Sequence, residues 1–310
     1  MSLAPAPGPG TRAPSAALHP RAFFTLLLLA CLFGANHVAA RVAFNHGVDV
    51  ATAVAVRSLG TAIVVALIVR WVGIPVRLEA RQWRVLALIG ALITGQSLCL
   101  YSAVARLPVA LALLAFNTFP LWIALWSRLF YGQRPARAVL IAMPVILLGL
   151  ALALDVAGAA SGLGAAAHWS AIGAGVAFAV AAAALFGLAM VITQHEVAAV
   201  DGRLRTAITM GIVGVVALAA TQAQGGAHWP TAAAGWWGLL LLTLLYGTGF
   251  TVMFTLLPKL GVAGNSPILN VEPVASLVMA WAILGQVIAP VQVAGSLVVV
   301  GAVMALGLRR

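Results

Sequence analysis

The chain has 310 residues, of which 63% are hydrophobic and only 7% charged, with a mean hydropathy of +1.10. A soluble domain carries roughly 25% charged residues and under half apolar ones, so water is excluded as the solvent for most of this surface. The formal net charge of +11 does not mark a nucleic-acid binder, because the basic residues sit singly or in small groups between apolar runs. Those runs are continuous and rich in Leu, Ala, Val and Gly, which requires helices and excludes the period-two alternation of a barrel.

Residues 1–20 carry Pro5, Pro7, Pro9, Pro14 and Pro20 and read as a disordered cytoplasmic tail. The next apolar run, Ala22 to about Phe44, outlasts the roughly 7–15-residue core of a signal peptide and reads as a retained first span. At about 20 helical residues per crossing, spans fall near 22–43, 51–71, 85–105, 109–131, 138–156, 171–195, 206–223, 235–257, 263–285 and 289–308. A Gly- and Ala-rich linker, about 157–170, separates five spans from five. The expected units are the tail (1–20), a first five-helix unit (21–156), a connector (157–169) and a second five-helix unit (170–310).

With the N-terminus inside, fourteen of the seventeen Lys and Arg residues fall on that side. Arg41 and Arg106 fall outside, and Arg57 lies within span two. Such segregation sets orientation, so both termini are expected in the cytoplasm of a bacterial-type inner membrane. Trp71, Trp83, Trp169, Trp229, Trp236 and Trp237 lie near span ends, where indole rings prefer the interface. Cys31 and Cys99 are inside apolar runs, and neither is placed for a disulfide or a metal.

A shift of 153 residues aligns the chain with itself. Leu32-Phe33-Gly34 lands on Leu185-Phe186-Gly187, and Arg106-Leu107-Pro108-Val109-Ala110 on Lys259-Leu260-Gly261-Val262-Ala263. Asn117-x-x-Pro120 lands on Asn270-x-x-Pro273, and Gly132-Gln133 on Gly285-Gln286. Five spans per repeat is an odd number, so the halves enter the membrane from opposite sides. The fold class expected is therefore an all-α membrane protein of ten transmembrane helices in two inverted five-helix repeats.

Leu32-Phe33-Gly34-Ala35-Asn36, Arg57 in span two, Asn117-x-x-Pro120 followed by Gly132-Gln133, and Glu272-Pro273 followed by Leu284-Gly285-Gln286 form an ordered set. This set resembles the EamA branch of the drug/metabolite transporter superfamily over about residues 22–308. The resemblance implies two EamA repeats and, commonly, export of amino acids or other small metabolites. Both Gly-Gln pairs stand where that family commonly has Gly-Glu.

A charge at mid-membrane costs about 3 kcal/mol on insertion scales, so each deep ionisable residue asks for a reason. Glu272 is the only carboxylate well inside a span, about 14 Å from the cytoplasmic entry at 1.5 Å per residue. It reads either as a protonatable site or substrate-amine partner, or as a structural carboxylate tied to Arg57 or backbone. Arg57, about 10 Å below the outer surface, reads as a substrate-carboxylate clamp or as an interhelical pin, with the pin slightly favoured. Asn36 and His37 are adjacent, so they point about 100° apart and only one is expected to face a cavity squarely. Arg41 shares the His37 face. Gln96, Tyr101, Asn117, Tyr246 and Asn270 supply neutral hydrogen-bonding groups for cavity lining or helix contact. Pro120 and Pro273 are the expected helix breakers. Phe116, Phe119, Trp122 and Trp126 read as an apolar wall or as packing.

No His, Asp, Glu or Cys cluster has catalytic or metal-ligand spacing, so no enzyme, metal or cofactor is expected. There is no phosphate loop of the G-x-x-x-x-G-K-[ST] type, which leaves an ion or substrate gradient as the energy source, with Glu272 or His37 carrying the proton. Phosphorylated cargo wants several cations, and only Arg57 is deep, so a neutral or zwitterionic small molecule fits better. The expected partners are that small-molecule substrate and membrane lipid, and no nucleic acid; monomer and homodimer are not distinguished. The competing readings are a non-transporting membrane sensor or structural protein and, less well supported, a membrane-embedded enzyme.

Overall fold

The computed structural model describes residues 20–135, 137–155, 157–158, 162, 164–255, 271–286 and 289–308. Its helices are α1 (Pro20–Asn45), α2 (Val50–Val72), α3 (Ala80–Arg106), α4 (Val109–Phe116), α5 (Phe119–Tyr131), α6 (Arg137–Ala153), α7 (Ala165–Glu196), α8 (Gly202–Ala223), α9 (Ala233–Thr255), α10 (Glu272–Leu284) and α11 (Pro290–Leu308). Helices α4 and α5 share one crossing, Val109–Tyr131, and α10 is the second part of the ninth apolar run, so the ten expected crossings are all represented. Among the described residues seven helical stretches are long and apolar enough to span a bilayer, while α6, α10 and α11 are shorter apolar helices.

Two boundaries differ from the sequence reading. Helix α7 begins at Ala165, so residues 165–170 are helical. His168, expected in a loop, is buried in the first turn of α7, with its Nε2 2.9 Å from the Leu154 carbonyl oxygen. The fourth span is not continuous, because the chain turns at Asn117–Thr118 and restarts at Phe119. Pro120 and Pro273 lie in the first turns of α5 and α10. There the missing N–H costs nothing, because the first four amides of a helix have no intrahelical acceptor. Pro120 therefore marks a restart after the Asn117–Thr118 turn, and neither proline kinks a helix interior.

The two halves are interleaved: α2 packs on α8, α3 on α7, α1 on α9 and α6 on α11. Exchanging equivalent helices (α1 with α7, α2 with α8, α3 with α9, α6 with α11) turns α1–α9 into α7–α3 and returns the other two pairs to themselves. This is the pairing a twofold relation between the halves produces, and five crossings per half place its axis in the membrane plane. Individual glycines obey the same exchange. A Cβ on Gly34 would lie 2.8 Å from Ser276 Oγ and 3.2 Å from Ser276 N; on Gly187, 153 residues later, it would lie 2.9 Å from Trp122 Cβ and 3.1 Å from Ile123 N. Ser276 and Ile123 are themselves 153 apart. Without a side chain, the helices of each seam approach backbone to backbone. Gly187→Ala is expected to force α5 off α7 and cost about 1–3 kcal/mol, as overpacking does; thermal unfolding in detergent would register it.

Both Gly-Gln pairs close helices. Gly132 and Gly285 hold left-handed φ values of +64° at the ends of α5 and α10, a conformation that suits glycine. The amides then do the helix-end pairing. Gln133 Nε2 lies 2.9 Å from His195 Nε2 at the end of α7, and Gln286 Oε1 accepts from the Val109 amide at the start of α4 (3.1 Å). Beside them, Glu196 accepts from Arg81 and from Tyr131 (3.0 Å for the latter), tying α3, α5 and α7 at one end.

At the opposite end, Asp49 caps α2 by accepting from the Thr52 amide (2.9 Å) and hydroxyl (2.6 Å). It also accepts from the His228 amide (3.1 Å) and faces His228 Nδ1 at 3.2 Å. Thr231 donates to the His46 carbonyl, so the α1–α2 turn is fastened to the α8–α9 loop. Burial alone would raise the Asp49 carboxyl, but the bonds from Thr52 and His228 and the His228 charge outweigh it and hold the pKa below the ordinary 3.8. A depressed folded value means this carboxylate stabilises fully above 3.8 and loses its contribution as pH falls through the lower folded value. Asn keeps a capping oxygen, so Asp49→Asn isolates the charge. Its Tm deficit relative to wild type is expected at about pH 6 and should vanish near about pH 2.

Candidate functional site

Lipid offers no hydrogen bonds, so polar side chains on α1, α2, α3, α9 and α10 find one another. Arg57 on α2 is 2% exposed. Its guanidinium donates to Ser97 Oγ (3.0 Å) and Tyr101 Oη (3.2 Å) on α3, with Ser58 Oγ at 3.5 Å. It also lies over two aromatic faces, 3.8 Å from the Tyr246 ring centroid and 4.9 Å from that of Tyr101. Tyr101 Oη donates to Asn36 Oδ1 (2.7 Å), and Asn36 Nδ2 donates to the Leu242 carbonyl on α9 (2.7 Å). Ser97 Oγ donates to Gln96 Oε1 (3.3 Å).

The acidic end begins at α10. Glu272 occupies the first helical position, where the unpaired amides and the helix dipole favour a carboxylate. Its Oε1 lies 3.3 Å from His37 Nε2, the side chains being 27% and 9% exposed. The His37 ring packs against Tyr101, 5.5 Å between centroids. The residues thus form one line from Glu272 through His37 and Tyr101 to Arg57 and Tyr246.

Several expectations need correction. Glu272 pairs with His37, not Arg57. Asn36 and His37 both join the cluster, because Tyr101 from α3 reaches between them. Arg41 turns away: its Nη1 donates to the Val104 and Leu107 carbonyls (2.6 and 3.1 Å), capping the end of α3. Asn117 sits at the α4–α5 break and takes no part in these bonds, and Asn270 lies outside the described residues. The sequence reading missed Ser97 and Ser276. Each stands one helical turn from a residue it did single out, Tyr101 and Glu272, and that spacing puts them on the same faces.

The inverted repeat gives this site a counterpart with opposite chemistry. Positions 153 residues from Asn36, His37 and Arg57 are Ala189, Met190 and Met210, and the position equivalent to Glu272 is Phe119. There Phe116, Phe119 and Phe186 pack with centroids 5.3–5.7 Å apart, and Trp126 Nε1 donates to the Ala184 carbonyl. One seam is polar and the other is an aromatic packing layer. Among the described residues, the buried side-chain polar atoms lacking a partner are His37 Nδ1, Arg57 Nε and Ser276 Oγ. All three belong to the polar seam.

Two inverted five-helix halves around a buried polar seam define a membrane transporter fold. The EamA-like transporter family model matches residues 20–154 and again 173–308, so the chain belongs to the EamA-like transporter family of the drug/metabolite transporter superfamily, with two EamA domains and a small molecule as its substrate. A solved crystal structure is similar in fold, with a TM-score of 0.62 and 19% identity over 93% of this chain and 98% of its own. No curated protein matches the chain.

Proposed function

We propose that the protein is a proton-coupled secondary transporter that exports small zwitterionic metabolites, amino acids foremost, across a bacterial inner membrane. The carrying observation is the Glu272–His37–Tyr101–Arg57 line, contributed by both halves and closed over at its Arg57 end. A carboxylate at one end and a guanidinium at the other suit a molecule bearing both an amine and a carboxylate. Glu272 and His37 are the groups that take up and release the proton, since a carboxylate and an imidazole 3.3 Å apart can pass one between them. Inversion of the two halves supplies the motion, the seam opening to each face in turn. Export follows the habit of the family.

The test is flux into proteoliposomes under an imposed pH gradient, with amino acids and analogues as cargo. Uptake that rises with the gradient and collapses with a protonophore supports the proposal. Flux indifferent to the gradient removes proton coupling, and no flux of any amino acid removes the substrate class.

A further inference from the structure

The closely packed α2–α8 pair ends differently on its two sides. Where α2 begins and α8 ends, Asp49, Thr52, His46, His228 and Thr231 bolt the loops together. Where α2 ends and α8 begins, a groove of about 590 Å³ opens to the outside, walled by Val69, Ile74, Val76, Leu204 and Ile208 with Arg70 on its rim. By the charge-based orientation this is the cytoplasmic end, and the neighbouring Trp71, 88% exposed, marks the interface depth. Among the described residues Arg70 makes no side-chain hydrogen bond or ion pair, whereas nearby Arg203 is held by Asp201 (2.9 Å). The position equivalent to Arg70 in the second half is Ala223, so the cation belongs to this end alone.

We propose that this groove is a binding site for one anionic phospholipid of the cytoplasmic leaflet. Most of the wall is aliphatic, and covering such a surface with hydrocarbon is favoured over leaving it to water. A bilayer supplies a better occupant. One acyl chain covers the walls between α2 and α8, and the headgroup phosphate accepts from the Arg70 fork, a geometry guanidinium matches bidentately. Charge complementarity selects the headgroup: a zwitterionic lipid offers the same phosphate but brings its own cation to a rim that already holds one. The inference rests on the membrane fold and stands whether or not amino acids are the cargo.

Native mass spectrometry of the full chain, delipidated in detergent and titrated with phosphatidylglycerol or phosphatidylcholine, tests it. Wild type is expected to retain one phosphatidylglycerol at least five-fold more strongly than phosphatidylcholine. Arg70→Gln should lose that preference, Arg70→Lys should keep part of it, and Arg106→Gln, whose cation lies at the far end, should keep all of it. Ala207→Phe fills the groove and should lose the lipid with Arg70 intact, which covers the case that Arg70→Gln does not fold. Equal retention of the two lipids by wild type, full retention by Arg70→Gln or Ala207→Phe, or a second copy of the chain occupying the groove in place of lipid would each overturn the assignment.

Discussion

Glu272→Gln is expected to lower proton-driven flux at least tenfold and to flatten its dependence on pH, while the protein still inserts and folds. The amide keeps the size and the acceptor oxygen of the carboxylate, so the contact with His37 Nε2 at 3.3 Å can persist as a neutral hydrogen bond. What it cannot do is hold or release a proton. Its partner His37 then faces a neutral amide in place of a proton-exchanging carboxylate. His37→Gln should therefore also flatten the pH profile, and the double variant should be little worse than either single one, as for two residues acting as a unit. Counterflow, which exchanges substrate for substrate without net proton movement, should survive better than gradient-driven uptake. If Glu272→Gln carries substrate at the normal rate with the normal pH profile, proton coupling through this pair is wrong.

Arg57→Met should abolish transport yet leave Tm within a few degrees of wild type. Met is the residue the second half places at the equivalent position, Met210, where the Tyr246 hydroxyl lies 3.7 Å from its sulfur. Burying a guanidinium without a carboxylate carries a desolvation penalty of several kcal/mol. Hydroxyl bonds and two aromatic faces return a similar amount, at about 2 kcal/mol or more for a desolvated cation–π contact and about 1.5–3 kcal/mol for a bond to a charged group. Removing the cation orphans little, because Tyr101 still donates to Asn36 and Ser97 still donates to Gln96. The near-cancellation predicts small change in stability and large change in function, the pattern expected when a charge is kept for binding. The interhelical-pin reading predicts the reverse: a large drop in Tm with residual transport in whatever folds. Thermal unfolding and flux on the same preparation separate the two.

The architecture was legible in the sequence because the bilayer imposes few solutions. Ten apolar runs of crossing length, segregated Arg residues and a 153-residue self-alignment led to two inverted five-helix halves without a single contact being known. Asn36, His37, Arg57, Gln96, Tyr101, Tyr246 and Glu272 were also legible as candidates, since any polar group within an apolar run is conspicuous. A helix break near Pro120 could be expected from the missing N–H. The restart at Phe119, two residues after Asn117, depends on how α4 ends against α7 and α10.

Side-chain pairing was a different matter. Helical spacing put Arg41 on the His37 face and left several partners open for Glu272, Arg57 among them, yet His37 reaches Glu272, Arg57 settles between Tyr101 and Tyr246, and Arg41 caps α3. Nor could one chain's periodicity reveal that only one seam of a symmetric frame is polar, or that Ser97 and Ser276 belong to it. Crossing length, orientation and repeat are one-dimensional properties, fixed by each segment's own free energy in lipid. Which polar groups share a seam depends on the azimuth of every helix about its axis, and that is set only when neighbouring helices close to backbone contact at Gly34 and Gly187.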